Sequence, residues 1–407
     1  MLQNHIDVKS SVPAARPASD RIIDEALRAV RDHLDMPIAY LSEFVDGRSV
    51  FRHVNAPGLE HMIAPGDSRS LDEVYCHHIV DGRLPNLIPD TSAFELARSL
   101  PVTRETPIGS HVSLPIHRGD GSVYGMFCCL SPVPNPSLND RDLKVMSMFA
   151  NLAAEQVREQ LERDGDRSAA LRRTTGMLAE AAYDMLFQPI YRLGDGHLAS
   201  FEALCRFRSE SYRSPDIWFA DARRAGLQVE LEMAVIRAAV RALPDLPAGV
   251  RLAVNASPDT VAEGDLLPIF RAAGADRMTL EITEHEQTTR IDHLSRAVAA
   301  LRDEGVRIAI DDVGAGYAGL HQILQLKPNV LKLDMSLVRD VHSDPARRAL
   351  ASALVRFAGE TGAHVVAEGI EHAQEWHALR RLGVDYGQGW LMGRPGAIED
   401  AAPFVRI

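Results

Sequence analysis

The chain has 407 residues, 46% of them hydrophobic, enough to bury more than one core and consistent with about two or three domains. Its 44 basic and 56 acidic residues leave a net charge of −12, which argues against a general nucleic-acid or anionic-membrane binder while leaving room for an anionic ligand held by a few cations. No apolar run approaches the roughly 20 residues that span a bilayer, and the polar start has no signal-peptide core, so a soluble cytoplasmic protein is expected.

Residues 1–19 read as a disordered leader. From Arg21, the apolar positions Ile22, Ile23, Ala26, Leu27, Val30 and Leu34 follow helical spacing, and Pro37 stops that helix. Strand-like runs follow at 38–44, 49–54, 111–116 and 122–130, the last two joined by the turn Arg118-Gly119-Asp120-Gly121. A helix starting near Asn139-Asp140 carries Leu143, Met146, Phe149, Leu152, Ala153 and Val157. This is an α+β unit built on an antiparallel sheet. In the order of its elements, and in the hairpin-then-helix ending over 110–154, it resembles a GAF domain. The resemblance implies a sensor module over 20–155 for a small molecule that the sequence does not identify, or for a protein partner.

The four cysteines, Cys76, Cys128, Cys129 and Cys205, have no CxxC spacing and read as reduced thiols; Cys128 and Cys129 should face opposite sides of a strand. Cys76-His77-His78 invites a metal or chromophore reading. Adjacent side chains point in different directions and chelate poorly, so a structural role is expected there, with Cys76 a candidate redox-sensitive thiol. Tyr75, Phe94, Met126 and Phe127 read as core residues that could also line a cavity.

Residues 156–176 turn charged and form a helical linker. Met146, Phe149, Ala153, Val157 and Leu161 approximate a heptad seam with two readings: a helix packed on its own domain, or a coiled coil joining two protomers into a homodimer.

Beyond residue 177, strand-like runs at 186–191, 198–204, 251–255, 278–281, 307–311, 330–332, 364–368 and 386–390 alternate with helical patterns, the size and order of a (β/α)8 TIM-like barrel. Only Leu193-Gly194-Asp195-Gly196-His197 joins the first two, too short for a parallel crossover, so they should pair antiparallel. Polar motifs sit at or near the strand ends: Phe201-Glu202-Ala203-Leu204, Val254-Asn255-Ala256-Ser257, Glu281-Ile282-Thr283-Glu284, Asp311-Asp312-Val313-Gly314, Lys332-Leu333-Asp334, Glu368-Gly369-Ile370-Glu371 and Gln388-Gly389-Trp390. A buried carboxylate or amide is costly unless it serves a site. Oxygen ligands without clustered Cys or paired His argue for Mg²⁺ or Mn²⁺ over Zn²⁺. Asp311 beside Asp312 suits a pair of ions, and Lys332 could orient water or neutralise developing charge.

On these motifs residues 177–395 resemble an EAL domain, the family that hydrolyses cyclic di-GMP to linear pGpG. The resemblance implies that Glu202, Asn255, Glu281 and Asp311 hold a first metal, that Asp311 bridges to a second, and that Asp312 helps hold it. Glu368 falls at the family's essential glutamate near the second metal and the catalytic water, and Lys332 at the lysine that positions that water. Gln188, Leu204, Arg206 and Gln388 fall at positions lining the nucleotide site, with Arg206 suited to a phosphate. Glu284 matches the glutamate that holds the loop after Asp311-Asp312. That loop departs from the family's Asp-Asp-Phe-Gly-Thr-Gly-Tyr-Ser, with Val313, Ala315 and Ala318 at three positions; Asn329 stands where Asp is frequent. Three functions compete: an active cyclic di-GMP phosphodiesterase regulated by the first domain, a silent cyclic di-GMP receptor, and a barrel phosphodiesterase acting on another nucleotide. No metal ligand, essential glutamate or lysine is missing, which favours the enzyme.

Overall fold

The computed structural model describes residues 18–209, 211–283, 290–314 and 319–400. The expected leader, apart from its last two residues, lies outside this set. The chain divides into two units, Met1–Asp166 and Arg167–Ile407.

In the first unit the strands β1 (Ile38–Val45), β2 (Arg48–Asn55), β3 (Ser68–Ser70), β4 (Leu87–Ile88), β5 (Ser110–His117) and β6 (Val123–Ser131) form one antiparallel sheet in the order β3-β2-β1-β6-β5-β4. The period-two alternation of β6 feeds two cores: Phe127 and Cys129 on one face, Met126, Cys128 and Leu130 on the other. The adjacent cysteines therefore point to opposite faces, as expected. The first face is covered by the helix Ala18–His33, through Ile23, Ala26, Leu27 and Val30, and by the start of the helix Asp140–Glu180. The second face is covered by segments between β2 and β5 for which the sequence offered no periodic signal. These include the short helices Tyr75–Val80 and Glu95–Ser99, which anchor through single residues such as Tyr75, Ile79 and Ala97.

The helix Asp140–Glu180 runs unbroken for 41 residues through the expected linker. Of the heptad seam, Met146, Ala153 and Val157 are buried and Phe149 is partly buried, all within the first unit's own core. The first four positions of the stripe are thus used in the packing of its own domain, while Leu161 at its end is exposed.

The second unit is a closed barrel in the order β10-β11-β12-β13-β14-β7-β8-β9. Its strands are β7 (Tyr183–Arg192), β8 (Leu198–Phe207), β9 (Arg251–Ala256), β10 (Met278–Thr283), β11 (Arg307–Val313), β12 (Val330–Leu333), β13 (His364–Ala367) and β14 (Tyr386–Gly387). The strand β7 is antiparallel to both neighbours and the other pairs are parallel, so the predicted hairpin opens the barrel. The last strand, expected over 386–390, contracts to two residues.

Alternation explains why polar residues recur at these strand ends. Leu331 and Leu333 of β12 face the shell between strands and helices, whereas Val330 joins Ile190, Ala309, Val366 and Tyr386 in a small apolar cluster inside the barrel. Two residues along from Ala309, Val330, Val366 and Tyr386 stand Asp311, Lys332, Glu368 and Gln388. Two residues back from Ile190, on the reversed strand, stands Gln188. The same two-residue step leads from Ser200, Ala253 and Thr279 to Glu202, Asn255 and Glu281. Eight strands each contribute one side chain to a single polar layer above an apolar or small-residue plug.

Candidate active site

The Lys332 ammonium is the centre of this layer. Its side chain is 1% exposed, and Nζ lies 2.6 Å from Glu368 Oε1, 2.7 Å from Glu281 Oε2, 3.0 Å from Asp311 Oδ1 and 3.5 Å from Glu202 Oε2. Burial alone would lower the lysine's pKa; the four carboxylates outweigh it and raise the pKa well above the usual value. Burial likewise raises Glu281 far above the carboxylate range and pushes Glu368 up to about 8, against the pull of Lys332. One cation facing four carboxylates is an electrostatically incomplete arrangement.

Amides fix the acids. Asn255 Nδ2 donates to Glu202 Oε1 at 2.8 Å and Gln388 Nε2 donates to Glu202 Oε2 at 2.6 Å. The carboxylates of Asp311, Asp312 and Glu368 offer oxygens within 4.8 Å of one another. Asp312 sits at φ +57°, in the left-handed region that Asp tolerates better than most residues, so two consecutive carboxylates can both reach the barrel mouth. Gly369 after Glu368 has φ +66°, and an added Cβ would fall 2.7 Å from that of Met335. Glycine there lets the chain turn sharply enough to leave Glu368 facing inward.

The donor set fits divalent cations of the Mg²⁺ class. Among the described residues it is made only of oxygens, its acids outnumber the single Lys332 charge, and the buried oxygens Gln388 Oε1 and Thr283 Oγ1 have no hydrogen-bond partner. Beside it opens a cleft of about 500 Å³ lined by Leu204, Arg206, Tyr212, Phe219, Asn255 and Asp311 among others. The Arg206 guanidinium donates to Cys205 O at 2.8 Å. Gln188 Nε2 donates to Gly393 O at 3.0 Å, and Gln188 pairs with Glu202 across the β7–β8 ladder. Glu284 and the loop positions 315–318 lie outside the described residues. Asn329 belongs to the far end of the barrel, where its side-chain oxygen accepts from Ile308 N at 2.9 Å. It ties β12 to β11.

Two supporting acids were not legible beforehand. Glu232, on the helix Gln228–Val240, accepts from both Ser257 N and Ser257 Oγ, fixing the turn two residues after Asn255. Asp221, 2% exposed, is held by Arg173, Arg213 and Arg224 at 2.7–2.9 Å. Both lie in helices, where a polar residue in an apolar stripe was the only signal. Burial raises the Asp221 pKa, and Arg173 and Arg213 more than reverse that, leaving it below the usual range. Such a group stabilises the fold fully above its unfolded value near pH 4, and this contribution is lost as pH falls through the lower folded value. Asp221→Asn is expected to cost about 2–3 kcal/mol at neutral pH, discounted for the partial exposure of the guanidinium groups. Urea titrations at pH 7 and pH 3 check this: the gap between parent and variant should narrow in acid.

The EAL domain family model matches residues 169–395. The chain belongs to the EAL domain family. A GAF domain model matches residues 19–157. Among related proteins, cyclic di-GMP phosphodiesterase NbdA of Pseudomonas aeruginosa is 31% identical over 241 residues, 56% of this chain and 31% of its own. Cyclic di-GMP phosphodiesterase PdeF of Escherichia coli is 28% identical over 249 residues, 58% of this chain and 33% of its own. The chain thus spans about a third of the length of these relatives. Among solved EAL structures, the PaMucR phosphodiesterase in complex with c-di-GMP is 28% identical with a TM-score of 0.52, covering 57% of this chain and 99% of that one. Among the described residues, no helix of this EAL protein is long and apolar enough to cross a membrane.

Proposed function

We propose that the barrel hydrolyses cyclic di-GMP to linear pGpG with two divalent cations of the Mg²⁺ or Mn²⁺ type, and that the GAF unit regulates it. The observation that carries this reading is the Lys332 ammonium ringed by Glu202, Glu281, Asp311 and Glu368 at 2.6–3.5 Å. Glu202, Asn255, Glu281 and Asp311 would hold the first ion, and Asp311, Asp312 and Glu368 the second. The ions supply charge neutralisation at the phosphodiester and acidify water. With the ions' charge favouring its ionised form, Glu368 would accept a proton from attacking water, and Lys332 would orient that water and offset charge on the phosphorane oxygens. The cleft beside Asp311 takes the nucleotide, with Leu204 along its wall and Arg206 able to swing from Cys205 O to a phosphate. Gln388 holds Glu202, and Gln188, bonded to Gly393 O, stands beside Glu202 outside the lining of that cleft.

The test is conversion of cyclic di-GMP to pGpG by the purified full chain. Turnover is expected with Mg²⁺ or Mn²⁺ and none after chelation; binding without turnover would identify a receptor. Ca²⁺ should inhibit, because it prefers more ligands at longer distances and would spread a two-ion site. Equal rates with Ca²⁺ and Mg²⁺ would count against that geometry. Regulation by the first unit predicts that the isolated segment 170–407 differs from the full chain in specific activity by several-fold; identical rates would leave the GAF unit without a catalytic role.

A further inference from the structure

Three strands and one short helix of the first unit bring sulfur and nitrogen donors to a single buried point. Tyr40 on β1 stands opposite Cys128 on β6, and His111 on β5 pairs with Leu130, two residues along β6 from Cys128. Alternation therefore sets Tyr40, Cys128 and His111 on one face of the sheet. The helix Tyr75–Val80 lays Cys76 over that face, with its Sγ 3.8 Å from Cys128 Sγ and 3.7 Å from the Tyr40 hydroxyl. One donor atom each of Cys76, His111 and Cys128 lies within 4.8 Å of the others, and all three residues are no more than 1% exposed.

A purely structural role accounts poorly for His111. Among the described residues neither of its buried ring nitrogens has a hydrogen-bond partner of ordinary geometry, and the imidazole acts instead on the Cys76 thiol beside it. An unpaired buried donor is costly, and an apolar residue would fill the space without that cost. Tyr75 stacks on the imidazole with ring centroids 5.0 Å apart and planes inclined by 20°, which fixes its plane. A cavity of about 50 Å³, lined by Tyr40, Tyr75, His111, Arg69 and Thr106 among apolar side chains, adjoins the cluster and has room for about one water.

We propose that Cys76, Cys128 and His111 bind one Zn²⁺ ion in the first unit, with the fourth coordination position facing the cavity beside Tyr40. With Zn–S bonds of about 2.3 Å, the edge of a tetrahedron is about 3.75 Å, and the two sulfurs already stand 3.8 Å apart. Two thiolates and a neutral imidazole cancel the charge of the ion, so the filled site is neutral inside an apolar core. Binding exchanges the two thiol protons for the metal, and those protons leave to solvent. Among the described residues no carboxylate joins this donor set, which therefore selects a thiophilic ion, unlike the oxygen-only barrel site. The motif adjacency Cys76-His77-His78 concealed the site, because the sheet supplies the partners from residues 111 and 128.

The full chain, stripped by chelator under reducing conditions, is titrated with Zn²⁺ and separately with Co²⁺ in the presence of excess Mg²⁺. One Zn²⁺ per chain should survive dialysis, and the Co²⁺ form should show a thiolate-to-metal charge-transfer band that an oxygen-only site cannot produce. Cys76→Ala, Cys128→Ala and His111→Gln should each weaken Zn²⁺ binding by more than about 100-fold, the upper range for losing even an outer-shell partner. Cys129→Ala and Cys205→Ala, which alter thiols outside the cluster, should leave both readouts intact. Circular dichroism screens each variant for folding, and the wild-type readouts do not depend on any of them. Absence of the band in folded wild-type protein overturns the proposal, as does a band that persists in Cys76→Ala and Cys128→Ala. Neither readout involves hydrolysis, so the result stands apart from the reading of the barrel.

Discussion

Asp311→Ala and Glu202→Ala are each expected to lower hydrolysis of cyclic di-GMP by at least about 10³-fold while the barrel stays folded. Asp311 reaches Lys332 Nζ at 3.0 Å and also belongs to the trio with Asp312 and Glu368, so its loss removes one of the two carboxylates, with Glu368, common to both groups of acids. Glu202 accepts from Asn255 and Gln388, and its removal frees two amides that otherwise hold the wall of the site. In either variant three carboxylates still surround the ammonium, which is why the fold should persist. Separation of pGpG from cyclic di-GMP by chromatography gives the rate, and far-UV circular dichroism gives the fold. A rate within tenfold of the parent would remove that residue from the proposed ligand set.

Lys332→Met is expected to separate catalysis from stability. Without its ammonium, Glu202, Glu281, Asp311 and Glu368 face one another in a buried layer. The metal-free variant should then lose about 3–5 kcal/mol, the usual consequence of stripping a buried ion-pair group of its counter-charge. Ions that fill the oxygen site would restore part of this by mass action, so added Mg²⁺ should stabilise the variant more than the parent. Turnover should nevertheless stay at least about 10³-fold down, because the ions replace the lysine's charge and not its hold on water. Denaturant midpoints in chelator and in Mg²⁺, alongside rates, test both halves. An unchanged midpoint in chelator would mean that the lysine does not neutralise these acids.

Much of the barrel could be read from residues alone because its strands are short apolar runs that end in polar motifs, and helices separate most of them. The five-residue link from Leu193 to His197 was enough to predict the antiparallel start. The layer that contains Glu202, Asn255, Glu281, Asp311, Lys332 and Glu368 was legible as a set because each member sits where a strand leaves the barrel. Gln388 was harder: its strand is only Tyr386–Gly387, too short for a periodic signal. What stayed hidden depends on tertiary pairing. Asp221 and Glu232 look in sequence like ordinary polar positions of amphipathic helices, and only packing shows them bonded to three arginines and to the turn after Asn255. The heptad-like spacing of Met146, Ala153 and Val157 fits a coiled coil and a domain-facing stripe equally well, since both bury the same positions. His111 carried no signal at all, because its neighbours Cys76 and Cys128 come from other elements.

The two-residue step between the inner plug and the polar layer makes the chemistry a guard on folding. If β12 slipped by one position, Lys332 would turn toward the helices and Leu331 toward the acids, and both faces would lose at once. The same error on β10 or β8 would bury Glu281 or Glu202 among aliphatic side chains, away from every cation. Misregistered barrels are thereby penalised by the very side chains that equip the correct one. Variants that neutralise the site should consequently reach the folded state with more register errors, and the polar layer emerges as a proofreading element of assembly.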